Sequence, residues 1–111
     1  MEATAHEILY YMTSEGKIPF LEWLYSLKDK TVRAKIRIRL DWMVEGNFGD
    51  HRSVGDGIIE LRVHYGSGYR VYFAREGGRI VVIMCGGDKS TQGKDIKLAK
   101  KYWEDYKREE F

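Results

Sequence analysis

The chain has 111 residues, of which 43% are hydrophobic and 14% aromatic, and its formal net charge is +2. That size supports one domain over residues 1–111 with a single core, and the lone proline and absence of repeats or low-complexity tracts exclude a largely disordered protein. A charge this close to neutral excludes polyanion binding by bulk charge and leaves the local distribution of cations to argue for it.

The opening MEATAHEILYYM lacks the basic start and uninterrupted apolar stretch of a leader, and no run approaches membrane-spanning length, so a cytoplasmic protein without membrane contact is expected. His6 to Met12 predicts a first strand, ended by a turn at Ser14, Glu15 and Gly16. Pro19 fits the first turn of a short helix carrying Phe20, Leu24 and Leu27 at helical spacing, with Trp23 beside them. Ser26 followed by Asp29 has the capping-box pattern for a second, longer helix, which Gly46-Asn47 stops near Glu45. Its apolar stripe is Val32, Ile36, Leu40 and Met43, widened by Ile38 and Trp42.

Between Lys28 and Arg39 there are six cations and one acid. Arg33, Lys35, Arg37 and Arg39 flank the buried stripe, where they read either as snorkelling surface charges or as contacts to RNA or an acidic partner. Asn47 to Asp56, NFGDHRSVGD, reads as a polar, glycine-rich loop.

Two strands follow. Ile59, Leu61 and Val63 alternate with Glu60, Arg62 and His64, the turn Tyr65-Gly66-Ser67-Gly68 intervenes, and Tyr69, Val71 and Phe73 alternate with Arg70, Tyr72 and Ala74. If the apolar sets face the helices, Glu60, Arg62, Arg70 and Tyr72 share the other face in any hairpin register. Gly77-Gly78 makes a second turn, and Arg79 to Cys85 is apolar on both sides, as expected of a central strand. Cys85 lies within that run and reads as a small buried hydrophobe. The exit GGDKSTQGKDI places Lys89 at a strand end and Ser90 or Thr91 at the start of a final helix, whose free N–H groups and positive dipole end stand beside Lys89. That helix carries the stripe Ile96, Ala99, Trp103 and Tyr106, and its mixed charges, including Lys94, Asp95 and Lys97, read as a solvated face.

Known chemical motifs are absent from this pattern. The exit loop has the lysine and glycines of a nucleotide phosphate-binding loop, but Asp88 stands at the first glycine position and Asp95 at the hydroxyl position. His6, His51 and His64 have no metal-ligand spacing, there is no second cysteine, and no serine-type triad pattern occurs, so no metal or cofactor is expected.

The ELR at Glu60 to Arg62, GSGYRVYF at Gly66 to Phe73 and GGDKSTQ at Gly86 to Gln92 resemble the RelE/HigB superfamily of bacterial toxins, in its phage-derived branch of addiction module killer proteins. The resemblance covers nearly the whole chain. It implies a small α+β fold, with a mostly antiparallel sheet, two N-terminal-half helices packed on one face and a C-terminal helix. It also implies a toxin whose partner is a co-encoded antitoxin, expected to be a helix-turn-helix protein from the adjacent gene, and whose target is messenger RNA on the ribosome. By the same resemblance Arg70 takes the place of the active-site arginine after the central GY dipeptide, Lys89 that of the basic residue of the final glycine loop, and Arg62 that of the arginine before the hairpin turn. Glu60 stands where that superfamily has a lysine, and its late catalytic tyrosine has no counterpart here.

Metal-free cleavage of RNA needs a base for the 2′-hydroxyl, a cation for the charge on the phosphorane and an acid for the leaving oxygen. Arg62, Arg70 and Lys89 suit the cationic task, while Glu60 is either the base or the partner that keeps the arginines folded. His64 shares their face but reads as an exposed strand histidine, and Ser90, Thr91 and Gln92 suit helix capping or hydrogen bonds to RNA. Two other readings stay open: a ParE-like poison of DNA gyrase, or a binding protein of the same fold without catalysis.

Overall fold

A computed structural model describes residues 5–110; the first four residues of the segment read for a leader lie outside it. The elements run β1 (Glu7–Tyr10), α1 (Pro19–Ser26), α2 (Lys30–Val44), β2 (His51–Gly55), β3 (Ile58–Val63), β4 (Tyr69–Glu76), β5 (Ile80–Asp88), a 3₁₀ turn (Lys89–Thr91) and α3 (Gln92–Glu110). The sheet order is β1-β5-β4-β3-β2, with β1 parallel to β5 and every other pair antiparallel. This is the α+β architecture expected, with the two N-terminal-half helices on one face of the sheet and the C-terminal helix on the other.

Strand alternation makes the two layers. Leu61, Val63, Val71, Phe73, Val81 and Ile83 point to one side and pack on Phe20 and Leu24 of α1 and on Val32, Ile36, Leu40 and Met43 of α2. Ile58, Tyr72, Ala74, Val82 and Met84 point to the other and meet Ala99 and Trp103 of α3. Cys85 joins Met84 on that second side because the β4–β5 register shifts between Tyr72 and Phe73, so two consecutive β5 residues share a face. Burial, with Asp95 nearby, pushes the Cys85 thiol up to about 12, in keeping with a packing role.

Several local expectations change. Asp29 itself caps α2, its carboxylate accepting from Thr31 N at 2.8 Å, while Ser26 donates its hydroxyl back to the Trp23 carbonyl at the end of α1. Ile38 and Trp42 stay exposed: the α2 stripe is narrower than composition suggests because α2 lies on the sheet through one row of side chains. His51–Gly55, read as loop, is the edge strand β2, whose outward side chains leave it without an apolar alternation to detect. Gly86, Gly87 and Asp88 extend β5 instead of leaving it. Both glycines are required by close packing, since a Cβ at Gly86 would lie 2.4 Å from the Trp23 ring and one at Gly87 would lie 1.8 Å from Asp95 Oδ2. Among the described residues no helix is long and apolar enough to cross a membrane.

A candidate anion-binding cleft

The β3–β4 register puts Glu60 opposite Tyr72 and Arg62 opposite Arg70. All four therefore stand on the α3 side of the sheet, as the period of two requires. That face is open only in part. The second core lies under α3 as far as Tyr72 and Glu60, both fully buried, and the next pair outward, Arg62 and Arg70, is left at the edge of the helix.

Glu60 organises this edge. Its Oε1 meets Arg52 Nε at 3.0 Å and Arg62 Nε at 3.8 Å, and its Oε2 meets Arg70 Nε at 3.5 Å. Tyr72 Oη and Gln92 Nε2 donate to the same Oε2 at 3.0 and 2.9 Å. Burial alone would raise the pKa of this carboxyl, but the hydrogen bonds from Gln92, Arg52 and Tyr72 prevail and hold it below the usual value. A buried carboxylate that accepts three hydrogen bonds and lies beside two further guanidinium groups is a poor proton acceptor, which fits the partner role of Glu60 better than the base role. Tyr72 is likewise withdrawn from proton transfer, its pKa driven up by burial and by the adjacent Glu60 charge.

Around the Glu60 hub, Arg52 and Arg62 keep 50% and 33% of their side chains exposed. Arg70, whose side chain is 13% exposed, has its Nη1 buried and without a hydrogen-bond partner among the described residues. Gly87 lies opposite Arg70 on β5 and presents no side chain beside it. The β3–β4 turn closes over the end of the strands, with Gly66 and Gly68 at φ of 56° and 88°, and the Gly68 carbonyl accepts from Lys89 N at 3.2 Å. That bond ties the turn to the exit of β5. Arg62, His64, the turn Tyr65 to Gly68, Arg70 and Lys89 together line a cleft of about 390 Å³. Three cations lining one concavity give it the charge and donor types that suit an anion.

The remaining sequence candidates separate. Arg39 does not reach into the cleft: its guanidinium donates to the backbone carbonyls of Arg62, Phe48 and Asp50, stapling α2 to the start of the β2–β3 hairpin. Arg33 donates to the Leu27 carbonyl and closes the α1–α2 connection. Lys35 and Arg37 are exposed and lie over the rings of Tyr65 and Tyr25, and Lys35 lines a neighbouring groove with Ile38, Arg39, Trp42, Val63 and His64. The four therefore have different partners, backbone carbonyls for Arg33 and Arg39 and tyrosine rings for Lys35 and Arg37. Ser90 N is bound to the Asp88 carboxylate, Thr91 donates to Asp95, and Gln92 donates to Glu60, so these three build the helix start and the hub. The helix N-terminus beside Lys89 is not free, because Asp88 caps it.

Sequence reasoning missed three contributors. Arg52 pairs with Glu60 from β2, which was read as loop. Asp95 is buried, not solvated; burial raises its pKa, and the Thr91 hydroxyl holds it. Asp50 pairs with His64 Nε2 at the mouth of the cleft, and that hydrogen bond, aided by nearby Arg62 and Arg39, keeps the Asp50 carboxyl below its ordinary range. The one available signal for Asp95 was its place one turn before the Ala99 and Trp103 stripe. Among the described residues no group of three or more His, Cys, Asp or Glu is placed to hold a metal ion.

The model of the family described as Phage derived protein Gp49-like (DUF891) matches residues 22–104, which run from within α1 through most of α3 and include every residue of the cleft. An uncharacterized protein of Haemophilus influenzae is 53% identical over 83 residues, covering 75% of this chain and 84% of that protein. The chain belongs to the phage-derived Gp49-like family.

Proposed function

We propose that this member of the Gp49-like family is the toxin of a toxin-antitoxin pair and acts as an endoribonuclease on messenger RNA at the ribosome, in the manner of the RelE/HigB superfamily it resembles. The observation that carries this reading is the cleft in which Arg62, Arg70 and Lys89 converge while the buried Glu60 neutralises and orients the arginines from behind. A phosphodiester seated there places its non-bridging oxygens against the guanidinium and ammonium groups, where the charge of a phosphorane develops. The cleft is edged by a glycine turn, which suits a strand of RNA presented in extended form. Proton transfer in this scheme falls to side chains, and water completes it. A cytoplasmic site of action follows from the proposed target.

The partner is an antitoxin encoded beside it. The exposed cations Lys35, Arg37 and Lys89 favour an acidic segment on that partner, with association that slows as salt screens the exposed charges.

Expression of the chain alone tests the reading. Growth arrest with protein synthesis failing first, and messenger RNA cleaved in ribosome-bound fractions, is the expected result. Arrest in which DNA synthesis stops first, supercoiling changes and messenger RNA stays intact would favour the gyrase-poison alternative. Absence of arrest, with binding to the antitoxin retained, favours a protein without catalysis.

A further inference from the structure

Cations line the cleft to meet a phosphorane, while Glu60 and Tyr72 behind them are buried and engaged with one another. Cys85 is also buried, and Asp95 lies beneath α3 with Thr91 bonded to it. One titratable side chain that lines the cleft is both exposed and oriented, namely His64. Its Nε2 is hydrogen-bonded to Asp50 Oδ2. A carboxylate on Nε2 fixes the tautomer in which Nε2 carries the hydrogen and Nδ1 keeps its lone pair, the logic by which an acidic residue orients a histidine base.

The pair is unusually well founded for a surface contact. Asp50 precedes β2, and its carbonyl accepts from Arg62 N at 3.0 Å and from Arg39 Nη2 at 3.2 Å. Arg39 also holds the Phe48 and Arg62 carbonyls, Gly49 N donates to Asn47 Oδ1 at 3.0 Å, and the His51 ring meets the Gly49 carbonyl at 2.8 Å. The backbone carrying Asp50 is thereby tied to α2 and to the strand that carries Arg62. His64 in turn follows Val63, which is packed in the first core.

We propose that His64, oriented by Asp50, is the general base of the cleft, with Arg39 as a positioning residue that holds Asp50 in place. The proposal rests on the RNA-cleavage reading. In the step, His64 Nδ1 takes the proton of the 2′-hydroxyl as that oxygen bonds to the adjacent phosphorus. The bond from phosphorus to the 5′-oxygen breaks, and the leaving oxygen takes a proton from water. The products are a 2′,3′-cyclic phosphate and a 5′-hydroxyl, and the imidazolium returns its proton to solvent. Arg62, Arg70 and Lys89 face the phosphate in this arrangement. The charged groups around His64 are Asp50 from the segment before β2, Arg62 on β3, Arg70 on β4, Lys89 in the 3₁₀ turn, and Lys35 and Arg39 on α2.

The test uses the purified protein with ribosome-bound messenger RNA. Single-turnover cleavage is followed across pH for the parent and for His64→Gln, His64→Gly, Asp50→Asn and Arg39→Met, and binding is measured with RNA carrying a 2′-methoxy group at the scissile nucleotide. His64→Gln is expected to slow cleavage on the order of 10²–10³-fold, to abolish the rising limb of the pH profile and to leave binding within about threefold. Imidazole added to His64→Gly should restore part of the rate. Asp50→Asn and Arg39→Met should lose about tenfold while keeping a displaced limb. A His64→Gln protein that cleaves at the parental rate with the parental profile overturns this proposal and leaves the nuclease reading standing. A parent that cleaves no RNA overturns both. Equal losses of binding and rate in His64→Gln would assign the residue to substrate contact and also overturn the base role.

Discussion

Replacing Glu60 by glutamine keeps the shape of the hub and deletes the charge to which Arg52, Arg62 and Arg70 are paired. Removing one member of a buried ion pair costs about 3–5 kcal/mol. Here the side chains of Arg52 and Arg62 are 50% and 33% exposed and relax into water, so the cost falls mainly on Arg70 and lies near the lower end, about 3 kcal/mol. For a chain of this length that corresponds to a melting temperature lower by about 12 °C. The effect carries a pH signature. Because the folded pKa of Glu60 is lowered from the ordinary 4.5, its stabilising contribution is complete above that value and is lost as the pH falls toward the depressed one. Thermal melts of the parent and Glu60→Gln should therefore differ most at neutral pH and converge as the pH falls from 4.5 toward the depressed value. A double substitution with Arg70→Met should cost less than the sum of the two single changes. If Glu60→Gln melts within about 2 °C of the parent at neutral pH, or if the gap is unchanged in acid, the hub is not held by charge and the account of the cleft fails.

Arg70→Ala and Lys89→Ala should each reduce RNA cleavage on the order of 10²–10³-fold. Lys89 is exposed, so its variant should melt like the parent, whereas Arg70→Ala should also lower the melting temperature; Lys97→Ala, exposed on α3, should alter neither rate nor melt. Gly86→Ala should destabilise the fold by about 1–3 kcal/mol because its Cβ meets the Trp23 ring, and circular dichroism melts of this variant with Trp23→Leu should show partial recovery. No recovery would place the strain in the strand and not in the contact with α1.

Much of this protein was legible in the sequence, wherever a local period was enough. The α2 stripe Val32, Ile36, Leu40 and Met43 is buried as its spacing requires, Pro19 opens α1, and the glycine turn from Tyr65 to Gly68 joins β3 to β4. The same period places Glu60, Arg62, Arg70 and Tyr72 on one face without knowledge of the register, because a strand has only two faces. What covers a face is another matter. Residue spacing within β3 and β4 carries no information about α3, which begins beyond β5 and crosses to the side opposite α1 and α2, so the burial of Glu60, Tyr72 and Asp95 could not be read locally. The β2 strand escaped because an edge strand with one partner and outward polar side chains has no alternation to reveal it. Arg39 and Arg37 are two residues apart on one helix and alike in sequence, yet one clamps the carbonyls of Phe48, Asp50 and Arg62 and the other lies on a tyrosine ring. Chain chemistry determined that cations and a carboxylate would share a face; only long-range packing decided that the carboxylate would lie beneath the cations, and thereby which of their donors remain for a ligand.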